Sequence, residues 1–219
     1  MPLKGGEHMR IEIRSDSVLL DGYVNAVGRE SRILPSPKGN FRETIVPKTF
    51  ERALSKGGSV DLLFNHLKDR KLGSTAEGNL ELREDNIGLR AIATVTDPDV
   101  MTKAKSGDLK GWSFGFHANK DTWTDGTDGV QKRMIEDMDL VEVSILDKTP
   151  AYIATSIEAR DGESILTETR VEDFVANIED KSPPIEEHKK QDDIKKEPVS
   201  YRNYENESIL LHMKGRRNQ

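Results

Sequence analysis

Apolar positions recur in short segments over the first two thirds of the chain and become sparse afterwards. From Ile11 to about Arg160 these segments are separated by glycine, proline and acidic residues, a pattern typical of β-strands joined by turns. Beyond Arg160 polar and charged residues dominate. The pattern predicts an N-terminal extension over residues 1–10, a compact domain over 11–160 and a charged C-terminal tail over 161–219.

Strands are predicted where β-branched and aromatic residues cluster between turn residues. These segments are Ser17–Val27, Phe41–Val46, Val60–His66, Asn79–Leu82, Ile87–Val95, Gly111–Ala118 and Leu140–Leu146. Capping residues predict three short helices, one after Pro47, one from Asp97 to Gly107 and one after Thr149. Because strands and helices do not alternate as βαβ units, we expect an α+β fold, a mostly antiparallel, barrel-like β domain with a few flanking helices.

The tail divides at Pro183-Pro184. Before this point, the apolar residues of Glu163–Ile178 are spaced as on one face of an amphipathic helix. After it, the segment EEHKKQDDIKKEPVS has too little apolar surface to fold alone. The tail is therefore predicted to contain one helix followed by a disordered or partner-dependent stretch.

Composition removes several classes of function. The net charge of −6 argues against a nucleic-acid-binding body, because phosphate recognition requires clustered Lys and Arg. The sequence has no apolar run approaching the ~20 residues that a membrane helix needs, and its first residues have no hydrophobic signal core. The absence of cysteine excludes a disulfide framework, a thiol nucleophile and cysteine-ligated zinc. We therefore expect neither a nucleic-acid nor a membrane partner.

Histidine is the usual proton acceptor of a hydrolase near neutral pH. Of the five histidines, His8, His188 and His212 lie in the predicted extension or tail, which leaves His66 and His117 in the domain. His66 ends an apolar segment and precedes polar residues, so it is predicted at the rim of a sheet. A strand-end histidine bonded to the backbone or to water is the alternative interpretation.

The segment Gly111–Phe116 (GWSFGF) alternates aromatic and small residues. On a strand, its three aromatic side chains share one face and Ser113 lies on the other. The letters also match G-x-S-x-G, but no helix follows, and the late histidines that the required order of an acid and then a histidine would need lie in the charged tail. An esterase of the α/β-hydrolase type is therefore disfavoured, and a core strand with small outer residues remains the alternative to a nucleophilic serine.

A carboxylate is available on the segment Asp139–Leu146, where Val141, Val143 and Ile145 alternate onto one face. Glu142 then shares the other face with Ser144. A buried carboxylate needs a partner, and a histidine N–H would supply it. A solvent-facing Glu142 is the alternative. His117 is disfavoured as the base, because four residues of strand separate it from Ser113, ~13 Å at ~3.3 Å per residue.

These segments, in this order, resemble the prohead maturation proteases of tailed bacteriophages, a family with a fold similar to herpesvirus assemblin. The likeness spans roughly Ile11 to Arg160. The residues that carry it are LLFNH (Leu62–His66), GWSFGF (Gly111–Phe116), DLVEVSIL with PAY (Asp139–Leu146, Pro150–Tyr152) and IVPKTFERAL (Ile45–Leu54).

The resemblance implies a serine endopeptidase with Ser113 as nucleophile and His66 as general base. It places Glu142 as the third member of the site, with Asp139 as the alternative. It implies no metal and no cofactor. An assemblin-like homo-oligomer is compatible with the resemblance, although no interface pattern in the sequence indicates one.

The resemblance further implies that the substrates are extensions of the phage major capsid protein or of a scaffold protein, and the protease itself. The protein would act inside the immature prohead in the cytoplasm of the bacterial host. The charged tail would then be a flexible segment that is removed by self-cleavage. A non-catalytic capsid-assembly or scaffold protein with the same fold is the alternative function.

Overall fold

Strands make up most of the described fold, as the alternating apolar positions predict. The computed structural model describes residues 8–36, 39–147, 155–160, 163–173 and 175–183. The chain divides into two units, Met1–Pro183 and Pro184–Gln219, and every described residue lies in the first. The elements of the described residues are β1 (His8–Ile13), β2 (Val18–Ala26), β3 (Phe41–Ile45), α1 (Thr49–Ser55), β4 (Asp61–Phe64), β5 (Leu67–Ser74), β6 (Leu80–Glu84), β7 (Gly88–Val95), α2 (Pro98–Ser106), β8 (Gly111–Thr124), β9 (Gln131–Leu146), β10 (Thr155–Arg160), β11 (Glu163–Asp173) and β12 (Val175–Asp180).

These strands form two mixed sheets. One has the order β12-β1-β2-β7-β6, and the other has the order β10-β11-β8-β9-β4-β5, with β3 also paired to β9. Parallel pairing joins β1 to β12, β3 to β9 and β4 to β9, while the other pairs are antiparallel. The predicted α+β, mostly antiparallel domain is confirmed. Within the described strands neither sheet closes into a barrel, because the edge strands of each sheet do not pair with one another.

One cluster of buried apolar side chains joins the two sheets and both helices. Its largest members include three aromatic residues from the first half of β8, Trp112, Phe114 and Phe116, all fully buried. Phe50 of α1 packs edge-to-face on Phe114 with ring centroids 5.4 Å apart. The predicted aromatic face of β8 is therefore a core face, and it fixes the orientation of the strand that carries Ser113.

Two of the three predicted helices are present. Asp97 caps α2 by accepting hydrogen bonds from the backbone N–H groups of Asp99 and Val100, both at 3.0 Å, and Gly107 ends it with a φ of 73°. The start of the predicted third helix lies outside the described residues, and Ile157, which was assigned to it, lies in β10. Neither described helix is long and apolar enough to cross a membrane.

The amphipathic helix predicted over Glu163–Ile178 is wrong. This stretch forms β11, which pairs with β8, and β12, which pairs with β1. An unpaired edge strand presents a row of free N–H and C=O groups, and pairing with β8 and β1 satisfies those groups. The β-branched residues of the segment suit a strand as well as its apolar spacing suits a helix, so the sheet edges decide the conformation.

Candidate active site

His66 lies in a two-residue turn between β4 and β5. Its φ is 61° and that of Asn65 is 54°, as in the type I′ turns that join tight hairpins. Phe64 and Leu67 pair directly across the turn. β4 therefore ends before His66, and the histidine is at the tip of a hairpin instead of at the last position of a strand. Positive φ is uncommon for residues other than glycine and is found at functional sites.

Hydrogen bonds hold this hairpin tip against β9 and the residue that follows it. The backbone N–H of Asn65 donates to the carbonyl of Ile145 at 2.9 Å. The Asn65 side chain donates to Asp147 at 2.9 Å and accepts from the Asp147 N–H at 3.2 Å. The N–H of His66 donates to the hydroxyl of Ser144 at 3.2 Å. These contacts fix the backbone from which the imidazole projects.

The imidazole of His66 contacts Glu142. Nδ1 lies 2.7 Å from Oε1 of Glu142, whose side chain is buried. The other carboxylate oxygen accepts a 2.6 Å hydrogen bond from the hydroxyl of Ser144. Ser144 therefore joins the carboxylate of Glu142 to the backbone of His66. The sequence pattern had put Ser144 on the same face as Glu142 without indicating this role.

The second ring nitrogen of His66 has a different environment. Nε2 is buried and has no hydrogen-bond partner among the residues that the structure describes. With Nδ1–H donating to the carboxylate, a neutral imidazole keeps its acceptor lone pair on Nε2. The arrangement presents a nitrogen that can accept a proton from a neighbouring hydroxyl.

Asp139, the alternative third member, has another partner. Its carboxylate lies 2.6 Å from Nζ of Lys56, and this hydrogen bond lowers the pKa of Asp139. Its side chain is about half exposed. The geometry therefore joins Glu142 to His66 and Asp139 to Lys56.

Gly115 makes room for the carboxylate of Glu142. The two residues are direct partners in the antiparallel ladder of β8 and β9. A Cβ atom at position 115 would lie 2.7 Å from Oε1 of Glu142, the same oxygen that binds His66. Real Cβ contacts essentially never reach this distance, so a side chain here would displace the carboxylate.

A β-bulge follows this pair. The next matched residues are Phe116 and Leu140, so Val141 is the extra residue on β9, and its side chain is 37% exposed. Val143 and Ile145, which were predicted on the same face as Val141, are fully buried. Bulges re-aim side chains and are frequent beside active sites.

Ser113 lies on β8 directly opposite Ser144 on β9. Such antiparallel partners have Cα atoms ~4.5–5.5 Å apart, which places Ser113 one strand away from Glu142, while His66 follows β4 on the other side of β9. Its side chain is fully buried. Its hydroxyl donates a 2.7 Å hydrogen bond to the backbone carbonyl of Arg170 in β11. The structure thus joins His66 to Glu142 and shows Ser113 bonded to a different strand.

The described parts of the chain contain no group of three or more histidine, aspartate and glutamate side chains that could hold a metal ion. The polar groups around His66 are instead paired with one another or with the backbone. The chemistry that this arrangement can perform is proton transfer at Nε2 of a histidine whose Nδ1 is held by a carboxylate.

The family model of the caudovirus prohead serine protease matches residues 7–168. The match covers more than half of the chain and includes His66, Ser113 and Glu142. Comparisons with the curated proteins and with the solved structures found no match.

Substitution of Gly115 tests the contact between His66 and Glu142. We expect Gly115→Ala to abolish the downfield NMR resonance of the His66 Nδ1–H, because the new methyl group occupies the position of the Glu142 carboxylate. Gly58→Ala is the matched control, since a Cβ at Gly58 meets nothing within 4 Å, and it should leave the resonance unchanged. An unaltered resonance in Gly115→Ala would contradict the assigned role of Gly115.

Proposed function

Because the chain belongs to the caudovirus prohead serine protease family, we propose that it hydrolyses peptide bonds with Ser113 as nucleophile, His66 as general base and Glu142 as the residue that orients His66. The observation that supports this assignment best is the 2.7 Å contact between Nδ1 of His66 and the buried carboxylate of Glu142. It leaves Nε2 as the free acceptor of the ring. Ser113 lies on β8, the strand adjacent to the one that carries Glu142.

In the proposed reaction the hydroxyl of Ser113 attacks the scissile carbonyl while Nε2 of His66 takes its proton. The resulting imidazolium is stabilised by the carboxylate of Glu142. It then gives the proton to the leaving amine, and an acyl-enzyme forms on Ser113. Water, deprotonated by the same nitrogen, hydrolyses this ester and restores the free serine. Backbone N–H groups supply the stabilisation of the oxyanion.

Ser144 is the second buried serine of the site, and we assign it a positioning role. Its hydroxyl donates to Glu142 and accepts from the backbone N–H of His66. Both of its hydrogen-bonding directions are therefore used in holding the base and its carboxylate. In the proposed reaction Ser113, in contrast, gives its proton to the base, in place of the hydrogen bond that it donates here to the carbonyl of Arg170.

The family description points to a substrate in the prohead. We propose that the protease removes extensions of the major capsid protein or of a scaffold protein inside the immature shell in the host cell. We also propose that it cleaves itself, and that the C-terminal tail is the part removed.

Replacement of either serine tests the proposed nucleophile. With the chain co-expressed with its capsid protein, Ser113→Ala should abolish shortening of the capsid protein, since loss of a nucleophile lowers kcat by ~10⁶-fold. Ser144→Ala should retain measurable processing, with a loss on the order of 10²-fold from misplacement of the base. A fluorophosphonate probe should label Ser113, as located by mass spectrometry. Unchanged processing by Ser113→Ala would overturn the assignment, and absence of processing in every chain would favour the non-catalytic assembly protein.

Replacement of His66 by asparagine tests the base without losing the turn. Asparagine readily adopts positive φ, so His66→Asn should keep the hairpin while lowering the rate of peptide hydrolysis by ~10³-fold or more. His117→Asn is the matched control and should retain activity within a few-fold. The proposal for His66 fails if both variants hydrolyse peptides at comparable rates while urea denaturation shows both to be folded.

Self-cleavage is tested on the purified full-length chain. Intact-mass spectrometry during incubation should show the wild-type chain losing mass from its C-terminal end, because the proposed active site acts on its own tail. Ser113→Ala should stay at full length under the same conditions. If the wild-type chain keeps its full mass while it still processes capsid protein, self-cleavage is rejected and the proposed cleavage of capsid protein is retained.

A further inference from the structure

The strand that carries Ser113 is covered along one edge by β11. Residues Glu168–Asp173 pair antiparallel with Gly111–Phe116, with Val171 opposite Ser113. The hydroxyl of Ser113 donates to the carbonyl of Arg170 at 2.7 Å. An extended peptide added to a sheet edge is a common mode of peptide recognition, in which the backbone supplies affinity and side-chain pockets supply specificity. β11 therefore lies where an extended peptide substrate could meet the proposed nucleophile.

Two side chains of β11 are held by opposite charges. Glu168 and Arg170 are two positions apart, so they project on the same side of the strand, and both are buried. Arg133 binds the carboxylate of Glu168 through two hydrogen bonds of 2.5 and 2.8 Å. Glu43 binds the guanidinium of Arg170 through two of 2.7 and 2.8 Å. Paired contacts of this kind add geometric selectivity to charge attraction.

The two residues that hold β11 belong to other strands. Glu43 of β3 and Arg133 of β9 are direct partners in a parallel ladder. Nη1 of Arg133 lies 3.2 Å from Oε2 of Glu43. Arg133 also binds Asp121 of β8 at 2.6 Å, and its guanidinium lies 5.3 Å from the ring centre of Trp123. These contacts are made without β11. Arg133, which binds an acidic side chain, and Glu43, which binds a basic one, thus lie side by side next to the edge of β8.

The same arrangement withholds the proposed nucleophile from the proposed base. Ser113 is fully buried and its hydroxyl proton is directed to Arg170. Nε2 of His66 has no partner among the described residues. A peptide substrate can therefore reach Ser113 along this edge only after β11 has left it.

We propose that the edge of β8 beside Ser113 is the substrate-binding edge, and that β11 occupies it as an internal stand-in for the substrate. Glu43 and Arg133 are then specificity-determining residues for an extended peptide with an acidic residue followed two positions later by a basic one. The inference rests on the proposed function for the role of Ser113. Binding of such a peptide requires no catalysis, so it is testable separately.

The test uses full-length chains that all carry His66→Asn, so that no peptide is consumed. The probe is a fluorescein-labelled peptide with the sequence of residues 166–173, LTETRVED. A second peptide exchanges the glutamate and the arginine that correspond to Glu168 and Arg170. Fluorescence anisotropy measures the binding of each peptide to two chains, the parent and the variant Glu168→Ala/Arg170→Ala. In this variant β11 has lost both buried side chains.

The unexchanged peptide should bind Glu168→Ala/Arg170→Ala at least ~10-fold more tightly than it binds the parent, because an internal occupant lowers apparent affinity by the fraction of open sites. It should also bind at least ~10-fold more tightly than the exchanged peptide. Adding Glu43→Gln should reduce this preference. If the double variant loses its cooperative urea transition, the milder Glu168→Gln/Arg170→Lys is used, with the same order of affinities expected.

Equal binding of the two peptides, or equal binding of one peptide to parent and variant, would overturn the inference. The proposed function fails by a different result, namely processing that does not depend on Ser113. Selective peptide binding together with Ser113-independent processing would retain the binding edge and reject the catalytic assignment. Ser113-dependent processing without selective binding would retain the catalytic assignment and reject the binding edge.

Discussion

Two consecutive non-glycine residues with positive φ, Asn65 and His66, form the turn from which the imidazole reaches Glu142. Backbone conformations of this kind cost ~1–3 kcal/mol each and persist only where surrounding contacts impose them. Here the contacts are hydrogen bonds to Ile145, Asp147 and Ser144, each contributing ~0.5–1.5 kcal/mol. The position of the ring therefore depends on the pairing of β4 with β9, since these partners lie on β9 or directly after it.

The register of β8 on β9 connects this turn to Ser113. It sets Gly115 opposite Glu142 and Ser113 opposite Ser144, so the space for the carboxylate and the position of the serine follow from one ladder. A slip of one residue would exchange the two faces of β8. It would move Ser113 onto the core face and carry aromatic side chains such as Phe114, which is fully buried there, onto the face of Glu142. The large apolar area on one face of β8 thus specifies the geometry of the polar face.

Features set by local pattern could be predicted from the sequence, and features set by distant pairing could not. Alternation put Ser113 opposite the aromatic face of β8, and the cost of burying a carboxylate pointed to a partner for Glu142. The bulge at Val141 depends on how β8 and β9 are matched over their whole length. The strand character of Glu163–Asp173 depends on the free edge of β8, which lies far away in sequence. Because a helix was predicted there, the contact between Ser113 and Arg170 could not be anticipated.

Electrostatics determine how β11 could leave the edge of β8. Burial raises the pKa of Glu168, but the hydrogen bonds and charges of Arg133 and Arg170 outweigh it, and the net pKa lies below the ordinary 4.5. A carboxylate with a lowered folded pKa contributes its full stabilisation above its unfolded pKa and loses it only as the pH falls through the folded value. The ion pairs that Glu168 makes with Arg133 and Arg170 are therefore intact near neutral pH, and protonation of Glu168 does not release the strand there. In the proposal, β11 is displaced by a competitor that offers the same pair of charges to Glu43 and Arg133, or it is removed by a cut in the chain. The proposed substrate-binding edge of β8 would therefore become accessible where the substrate is concentrated.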